Sequence, residues 1–383
     1  MPTPKKIFFV AGENSGDMHG ANLIRHLHRQ RPDWELVGIG GPQMEKAGMT
    51  LLRNMVNDLA IVGFVEVLLK APAIYKVYKM VKAYLEKNKP DAVVLIDYPG
   101  FNMKLVAPLC KKLGIKVIYY IVPQFWAWHR SRIEKFKLFC DKMFPIFPFE
   151  AKMLNEEGIN AEYLGHPLLD VIKLTMTKEE IIAKFNLDPT KKLIGIMPGS
   201  RRREVRVLLP IMLDAAQRLL DAGENVQFVL PRSQTIPLDA IDTCLAESDV
   251  PVTVVDQYRM NVRAALDFAW VKSGTSTLEG AMLGVPFVIM YKVNYLTGLI
   301  ARFIINTPFI GLPNIVAGDM IVPELLQEKC TGMHLAETTL RFFHDERLYE
   351  NMKYQLQKVR KIFGPAGSSE RVANAIIEYM DHD

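Results

Sequence analysis

A short segment combines residue types that could bind a phosphate. It follows the apolar run Leu193–Met197 and reads Pro198-Gly-Ser-Arg201. The serine is placed to cap a helix expected over Val205–Ala222, and a helix N-terminus attracts anions. The guanidinium of the arginine adds paired donors that match a phosphate, although a surface loop with a solvated arginine has the same pattern. The predicted phosphate contacts are Gly199, Ser200 and Arg201.

A second anion-binding segment, Lys272–Glu279, follows the apolar stretch Phe268–Val271. Its hydroxyl side chains open a helix expected over Ser276–Leu283, and the glutamate lies about one turn inside, where it could accept both hydroxyls of a ribose. Helix capping is the alternative explanation. Because two such helix starts lie in one half of the chain, the pattern favours a nucleotide diphosphate. The predicted contacts are Ser273, Gly274, Thr275, Ser276, Thr277 and Glu279.

A carboxylate that could act as a general base ends a third apolar run. Asp97 follows Val93–Ile96, and active sites of α/β proteins lie at the carboxyl edge of the parallel sheet. Partial burial there would raise its pKa toward a useful value, whereas capping the turn at Gly100–Asn102 is the alternative. The loop after the first strand adds small residues and acceptors but is not a GxGxxG motif. Its candidate residues are Glu13, Asn14, Ser15, Gly16 and Asp17.

Composition places the chain among ordinary globular proteins. Its 383 residues favour two domains, and its net charge of +5 favours anionic partners such as nucleotides or lipid headgroups without indicating nucleic acid. The four scattered cysteines show no metal-ligand spacing, and no interior DxD motif occurs. We therefore expect no metal and no cofactor. We also expect a cytoplasmic protein, because neither a signal peptide nor an apolar run of about 18 residues is evident.

Strand and helix patterns alternate, which predicts two Rossmann-like domains with parallel sheets facing across a cleft. The predicted domains are 1–168 and 169–366. Two terminal helices are expected, Glu337–Phe363 and Ser368–Met380. Strands are expected at Lys6–Ala11, Glu35–Ile39, Ala92–Asp97, Lys116–Ile121, Lys142–Phe147, Glu162–Leu164, Leu193–Met197, Val226–Leu230, Val252–Val255, Phe268–Val271 and Phe287–Met290.

An apolar segment, Leu59–Leu69, continues into a lysine-bearing helix expected over Ala73–Lys87. Interfacial membrane helices combine an apolar stripe with lysines, although a helix that packs on a core has the same pattern. The basic run His129–Lys137 is likewise typical of a solvated face. From the residues alone the core-packing alternative is favoured, and Val65, Val67, Leu68 and Leu69 are the candidate contacts should the segment meet a membrane.

Several motifs, taken together and in order, resemble those of the lipid-A-disaccharide synthase family. The resemblance covers essentially the whole chain, with Asn14 and Ser276 where the family usually or often has alanine. The motifs are Gly12-Glu-Asn-Ser-Gly-Asp17, Asp97-Tyr-Pro-Gly-Phe-Asn102, Pro123-Gln-Phe-Trp-Ala-Trp128, Ile146-Phe-Pro-Phe-Glu150, Gly165-His-Pro-Leu168, Pro198-Gly-Ser-Arg-Arg-Arg-Glu204, Ser273-Gly-Thr-Ser-Thr-Leu-Glu279 and Leu312-Pro-Asn314.

The resemblance implies a GT-B glycosyltransferase. It implies inverting transfer from UDP-2,3-diacylglucosamine to 2,3-diacylglucosamine 1-phosphate (lipid X), giving a β-1,6-linked disaccharide 1-phosphate and UDP. Asp97 would deprotonate the acceptor 6-hydroxyl, and the 12–17 loop would hold the acceptor. Arg201 would contact the diphosphate, Glu279 the ribose, and Asn314 the nucleotide pocket. The last helix, in 367–383, would cross back and complete the first domain.

Because acylated substrates stay in a bilayer, the resemblance also implies peripheral association with the cytoplasmic face of the inner membrane. The segment 59–84 would then be a docking surface, and the run 129–137 would meet headgroups or the acceptor phosphate. Assembly into a homo-oligomer is compatible with the resemblance. The alternatives are another UDP-sugar enzyme of the same fold, such as a peptidoglycan-type transferase or a UDP-N-acetylglucosamine 2-epimerase, and a non-catalytic nucleotide- or lipid-binding scaffold.

Overall fold

A computed structural model describes residues 4–55, 71–123, 125, 132–233, 236–293 and 308–382. The chain forms two compact units. Unit 1 contains Met1–Val171 together with Phe363–Asp383, and unit 2 contains Ile172–Ile362.

Unit 1 is built on a six-stranded parallel sheet with the order β3-β2-β1-β4-β5-β6. The central strands β1 and β4 are almost wholly apolar, as expected for strands covered on both faces. Side chains at their carboxyl ends therefore meet at one edge of the sheet. The strands are β1 Lys6–Ala11, β2 Glu35–Gly40, β3 Thr50–Asn54, β4 Ala92–Ile96, β5 Lys116–Tyr120 and β6 Lys142–Phe144.

Helices cover both faces of this sheet. One face packs against α1 and α17, and the other against α3, α5 and α6. A π-helical turn, Asn102–Val106, joins α4 to α5. The helices are α1 Asn14–Gln30, α2 Pro42–Lys46, α3 Ala71–Asn88, α4 Pro99–Phe101, α5 Ala107–Leu113, α6 Arg132–Phe139, α7 Pro148–Glu156, α8 Leu168–Val171 and, from the C-terminal segment, α17 Ser368–Asp381.

Unit 2 repeats the architecture with the strand order β12-β11-β10-β7-β8-β9, again parallel. Its strands are β7 Lys192–Met197, β8 Val226–Pro231, β9 Val252–Val255, β10 Phe268–Lys272, β11 Phe287–Tyr291 and β12 Glu324–Leu326. Its helices are α9 Lys178–Lys184, α10 Arg202–Asp221, α11 Leu238–Leu245, α12 Arg259–Ala265, α13 Thr275–Leu283, α14 Leu312–Ala317, α15 Gly332–His344 and α16 Glu346–Ile362.

The C-terminal segment is fastened to unit 1 by polar contacts as well as by apolar packing. The Asp170 carboxylate accepts hydrogen bonds from the backbone N–H groups of Gly367, Ser368 and Ser369, at 2.6, 3.1 and 2.7 Å. A carboxylate at this position satisfies the first donors of α17 and complements the positive end of its dipole. At the other end of α17, Arg31 pairs with Asp381 at 2.8 Å.

Two sequence predictions about elements were wrong. The strand expected at Glu162–Leu164 is absent, because the pairing there ends as an isolated bridge between Met143 and Ala161. The helix expected over Glu337–Phe363 is two helices, since α15 ends before Asp345. Of the two interpretations left open for Ala73–Lys87, packing on the core is confirmed for the apolar stripe, which buries Val77, Val81 and Leu85.

Two imidazoles are buried in unit 1 with incomplete hydrogen bonding. His19 and His166 are 7% and 3% exposed, and among the described residues neither Nδ1 of His19 nor Nε2 of His166 has a hydrogen-bond partner. Burial lowers the pKa of His19 to about 4 and that of His166 to about 3, against the partly opposing charge of Asp170. Both imidazoles are therefore neutral in the folded protein at pH 7.

We expect this pair to make unit 1 sensitive to mild acid. In the unfolded chain each imidazole takes up a proton near pH 6.5, whereas in the folded chain both stay neutral until a much lower pH. The free energy of unfolding is therefore highest above pH 6.5 and decreases as the pH falls below that value. The loss is about 1.4 kcal/mol per pH unit for each imidazole, or about 2 kcal/mol each by pH 5. Urea unfolding at pH 7 and pH 5 measures how much the free energy of unfolding falls between them. This fall should be about 2 kcal/mol smaller in His19→Asn than in the parent protein. The exposed control His382→Asn should match the parent, and equal losses in all three proteins would contradict the prediction.

Candidate active site

Asp97 lies directly after β4, at the carboxyl edge of the unit 1 sheet. Its φ is +46° and that of Tyr98 is +49°, a left-handed conformation that side chains other than glycine rarely adopt. The Asp97 carbonyl accepts hydrogen bonds of 2.7 Å from the Asn102 amide and from the Tyr119 hydroxyl. These bonds hold the strained turn in place. The alternative that Asp97 caps a helix is wrong, because Tyr98 is the residue that precedes α4.

The environment of Asp97 suits a general base. Burial raises its pKa to about 6, and the nearby negative charge of Glu13 adds to the effect. A carboxylate with this pKa is mostly ionised at pH 7 yet more basic than an ordinary aspartate. Gly12 brings the loop close, since a Cβ at this position would lie 2.4 Å from the Tyr98 ring.

The loop 12–17 divides into an exposed part and a structural part. Glu13, Asn14 and Ser15 are exposed, so they remain candidates for contact with an acceptor. Gly16 is buried, and Asp17 is 1% exposed. The Asp17 carboxylate accepts three backbone hydrogen bonds of 3.0–3.1 Å from residues 41, 43 and 44, at the start of α2. The predicted acceptor contact through Asp17 is therefore corrected, because this carboxylate is fully used in holding the second βα turn.

In unit 2 the predicted phosphate loop lies between β7 and α10. Ser200 does not cap α10: Arg201 is the residue that precedes the helix, and the Ser200 N–H donates to the Glu204 carboxylate at 2.9 Å. Gly199 has φ +123°, and a Cβ there would lie 2.3 Å from Glu204 Oε2. Glycine is therefore required for this close approach. One of the backbone donors expected to receive a phosphate is already occupied by a carboxylate of the chain.

Glu204 also links this loop to the end of β10. Its Oε1 lies 2.9 Å from Lys272 Nζ and 3.3 Å from an Arg201 guanidinium nitrogen. Burial favours a raised pKa for Glu204, but Lys272, the Ser200 N–H and Arg201 outweigh it and hold the pKa below the ordinary value. Lys272 also lies 5.9 Å from the centre of the Tyr291 ring, at the end of β11. The neighbouring strands β7, β10 and β11 thus bring two cations and one anion to a single edge.

The other predicted nucleotide contacts differ in how accessible they are. Thr275 is exposed and Gly274 and Ser276 are half-buried beside it, at the start of α13. Ser273 is 8% exposed, and the Thr277 hydroxyl is fully buried and donates to the Gly274 carbonyl at 2.7 Å. The Thr277 side chain therefore stabilises the turn, which corrects its predicted role as a nucleotide contact.

Asn314 is also corrected. It is fully buried, and its amide donates to the Val322 carbonyl and to Glu324, each at 2.8 Å, and accepts from the Val322 N–H at 2.9 Å. A direct nucleotide contact would require breaking these bonds. The same Glu324 carboxylate also accepts from the backbone N–H groups of residues 310 and 311. Asn314 and Glu324 therefore hold the chain that enters α14.

Glu279 has a partner that sequence reasoning missed. Its carboxylate forms an ion pair with Arg263 of α12, and the two side chains are only 13% and 10% exposed. Burial, with the nearby charge of Arg259, lowers the Arg263 pKa to about 10, so the guanidinium stays charged at pH 7. No sequence pattern linked the two residues, since only the packing of α12 beside α13 brings them together.

The predicted membrane contacts Val65, Val67, Leu68 and Leu69 lie outside the described residues. Among the residues that are described, no helix combines the length and apolar character that crossing a bilayer requires. Within the same ranges, no three His, Cys, Asp or Glu side chains are grouped as a metal site.

Comparison with known proteins decides the family. A family model described as lipid-A-disaccharide synthetase matches residues 7–376. The lipid-A-disaccharide synthase of Geobacter metallireducens is 40% identical over 376 residues, covering 98% of this chain and 97% of the relative. The chain belongs to the lipid-A-disaccharide synthase family. The homologue from Geobacter sulfurreducens is 39% identical, with 99% and 98% coverage. A member of this family is a glycosyltransferase of lipid A disaccharide synthesis.

Solved structures support the fold of this family member. The UDP-GlcNAc 2-epimerase from Neisseria meningitidis, bound to UDP-GlcNAc, matches with a TM-score of 0.67 at 12% identity, covering 97% of this chain and 99% of that chain. MurG from Acinetobacter baumannii matches with a TM-score of 0.58 at 14% identity and coverage of 98% and 100%. The prediction of a GT-B fold with two parallel-sheet α/β units is confirmed.

Proposed function

We propose that the chain transfers 2,3-diacylglucosamine from its UDP derivative to the 6-hydroxyl of 2,3-diacylglucosamine 1-phosphate (lipid X), with inversion at the anomeric carbon. Membership of the synthase family supports a lipid acceptor. A UDP-sugar donor is supported by two related folds, the Neisseria epimerase bound to UDP-GlcNAc and a UDP co-structure of MnaA from S. aureus, which has a TM-score of 0.66.

The observation that carries the proposal is the strained, half-buried aspartate at the edge of the unit 1 sheet. Asp97 takes the proton of the acceptor 6-hydroxyl as that oxygen attacks the anomeric carbon of the donor. The bond from that carbon to the diphosphate breaks in the same step, and UDP leaves with the electron pair. A single displacement assisted by one base inverts the configuration and gives the β-1,6 linkage.

The leaving diphosphate carries the charge that must be stabilised. We assign this role to Arg201, Lys272 and the backbone N–H groups in the first turn of α13, because fixed donors around a leaving phosphate stabilise its developing charge. Glu204 holds both cations in place before UDP binds. Glu279, oriented by Arg263, is the proposed acceptor of the ribose hydroxyls.

The acyl chains of the substrates require the enzyme to work at a membrane surface. Withdrawing one fourteen-carbon chain from a bilayer costs about 10 kcal/mol. The outer face of α3 offers Lys76, Lys79 and Lys82, all exposed, to anionic headgroups. Replacing the three lysines with glutamine should abolish co-sedimentation with phosphatidylglycerol vesicles at low salt and leave activity in detergent unchanged. Retained co-sedimentation would move the contact away from α3.

The reaction is tested by incubating the chain with UDP-2,3-diacylglucosamine and lipid X in detergent with EDTA. Mass spectrometry should detect the tetraacyl disaccharide 1-phosphate and UDP, and NMR of the product should show a β linkage. Release of a 2-epimerised sugar without disaccharide would support the epimerase alternative. UDP binding without any turnover would support the scaffold alternative.

Arg201→Ala is expected to weaken UDP binding about 10- to 100-fold. The guanidinium is about half exposed, so losing its charged hydrogen bonds to UDP should cost less binding free energy than losing a buried ion pair would. The expected cost is about 1.5–3 kcal/mol. Calorimetry with UDP measures the change. The matched control is Arg202→Ala, which removes the same charge one residue on but breaks a surface pair with Asp239. If both variants weaken UDP equally, general electrostatics rather than Arg201 accounts for the affinity.

A further inference from the structure

A cavity of about 160 Å³ opens in unit 1, lined in part by Pro99 and Gly100 of the turn that follows Asp97. Its wall is apolar, formed by Pro99, Met103, Pro123 and Phe136, and of these the last three are buried. Lys104 and Lys135 also line it, and both are exposed. Neither lysine forms an ion pair with any residue that the structure describes. The cavity therefore combines an apolar interior with two cations that are available to an anion.

The cavity and the proposed base are carried by the same stretch of chain. Pro99 follows Asp97 by two residues, and Asn102, which donates to the Asp97 carbonyl, precedes Met103. Pro123 follows β5, whose terminal Tyr120 carbonyl accepts the Asp97 N–H at 3.2 Å. A ligand in the cavity would consequently lie at the same edge of the sheet as the Asp97 carboxylate.

The shape and charge of the cavity fit an alkyl chain joined to a phosphate. An apolar protein cavity of about 150 Å³ accepts a benzene-sized guest, which corresponds to a segment of roughly six carbons. In lipid X the phosphate is on carbon 1 and an acyl chain is on the neighbouring carbon 2, while the reacting hydroxyl is on carbon 6 across the ring. One acyl chain and one phosphate can thus enter together and leave the 6-hydroxyl for Asp97.

We propose that this cavity, the acyl cavity, binds the first carbons of the 2-acyl chain of the acceptor, and that Lys104 and Lys135 hold its 1-phosphate. This assignment rests on the proposed function. It makes the acyl cavity a determinant of acceptor specificity, distinct from the nucleotide-binding residues of unit 2.

Gly100 provides a variant that fills the acyl cavity without straining the backbone. It lines the cavity, its φ is not in the left-handed region, and a Cβ at this position meets no atom within 4 Å. Gly100→Leu should raise KM for lipid X at least tenfold, because each methylene denied burial costs about fourfold in affinity. KM for the UDP-sugar and kcat should stay within twofold. An acceptor with acetyl in place of the 2-acyl chain should show no difference between Gly100→Leu and the parent.

The lysines are tested with the double variant Lys104→Ala/Lys135→Ala and with decyl phosphate as a probe that needs no catalysis. Calorimetry should show binding to the parent and at least tenfold weaker binding to this variant and to Gly100→Leu. The matched control Lys111→Ala/Lys137→Ala removes two exposed charges of the same unit away from the acyl cavity and should bind like the parent.

The outcomes separate the two proposals. If Gly100→Leu forms the disaccharide with an unchanged KM for lipid X, the assignment of the acyl cavity is wrong. The proposed reaction would not be affected by that result. The parent could instead bind decyl phosphate in a lysine-dependent way and form no disaccharide. That result would support the acyl cavity as a binding site and overturn the proposed reaction. If Gly100→Leu lost only binding to phosphatidylglycerol vesicles, the occupant would be a bilayer lipid, and the assignment to the acceptor would be wrong.

Discussion

Asp97→Asn is expected to lower kcat by about 10²–10⁴ while UDP affinity, measured by calorimetry, stays within twofold. The amide keeps the size of the side chain but cannot take the proton of the acceptor hydroxyl. The control is Asp91→Asn, at the opposite end of β4, where the carboxylate accepts the Lys6 N–H at 2.7 Å. An amide oxygen can still accept this bond, so Asp91→Asn should retain the parent rate. A near-parent rate in Asp97→Asn would remove this residue from the role of base.

The same substitution changes pH dependence and stability in defined directions. Because the base must be ionised and its pKa is about 6, kcat/KM of the parent should fall tenfold per pH unit below pH 6. The residual activity of Asp97→Asn should not show this decrease in kcat/KM below pH 6. A raised carboxyl pKa also costs stability at pH 7, so the amide should increase the free energy of unfolding by about 1–3 kcal/mol. Lower activity with higher stability is the pattern of a functional residue rather than a structural one.

Arg263→Met is expected to lower the free energy of unfolding of unit 2 by about 3–5 kcal/mol. It leaves the Glu279 carboxylate buried without its counter-ion, and an uncompensated buried charge is far more costly than the loss of an exposed pair. Urea unfolding followed by a probe in unit 2 measures the change. UDP affinity should fall as well, because the proposed ribose contact of Glu279 loses the partner that orients it.

The double variant Arg263→Met/Glu279→Leu provides the internal control. Replacing both charges with apolar groups removes the buried carboxylate, so the double variant should regain most of the lost stability but not the UDP affinity. The exposed pair Arg218–Asp214, 3.1 Å apart, sets the scale for a surface contact. Arg218→Met should cost less than about 1 kcal/mol. A similarly small cost for Arg263→Met would contradict the assignment of a buried, strongly coupled pair.

The fold could be predicted wherever burial alone determined the pattern. Strands such as β1, β4, β7 and β10 are buried on both faces and are therefore continuous apolar runs. The edge strands β3 and β12 were missed, because one reads Thr-Leu-Leu-Arg-Asn and the other has only three residues. The break between α15 and α16 was missed because no glycine or proline marks it.

The sequence could predict which candidate site residues lie at strand ends and in turns. The position of Asp97 after β4 followed from its apolar run, but its left-handed backbone did not, since neither Asp97 nor Tyr98 is a glycine. Glu204 and Lys272 belong to the two predicted anion-binding segments, but neither was itself predicted to be a contact residue. Their contact with each other, like that of Arg263 with Glu279, exists only after β7, β10 and α12 have packed together.

The return of α17 to unit 1 affects how the protein is made. Val372, Ala373, Ile376 and Met380 belong to the same apolar cluster as the strands β1 and β4, yet they are translated after the whole of unit 2. Until then, one face of the first sheet is covered by α1 but lacks α17. Domains usually fold in the order in which they leave the ribosome. Unit 2 can therefore complete its core before unit 1 does, and part of the apolar surface of the first sheet stays exposed until α17 has been synthesised.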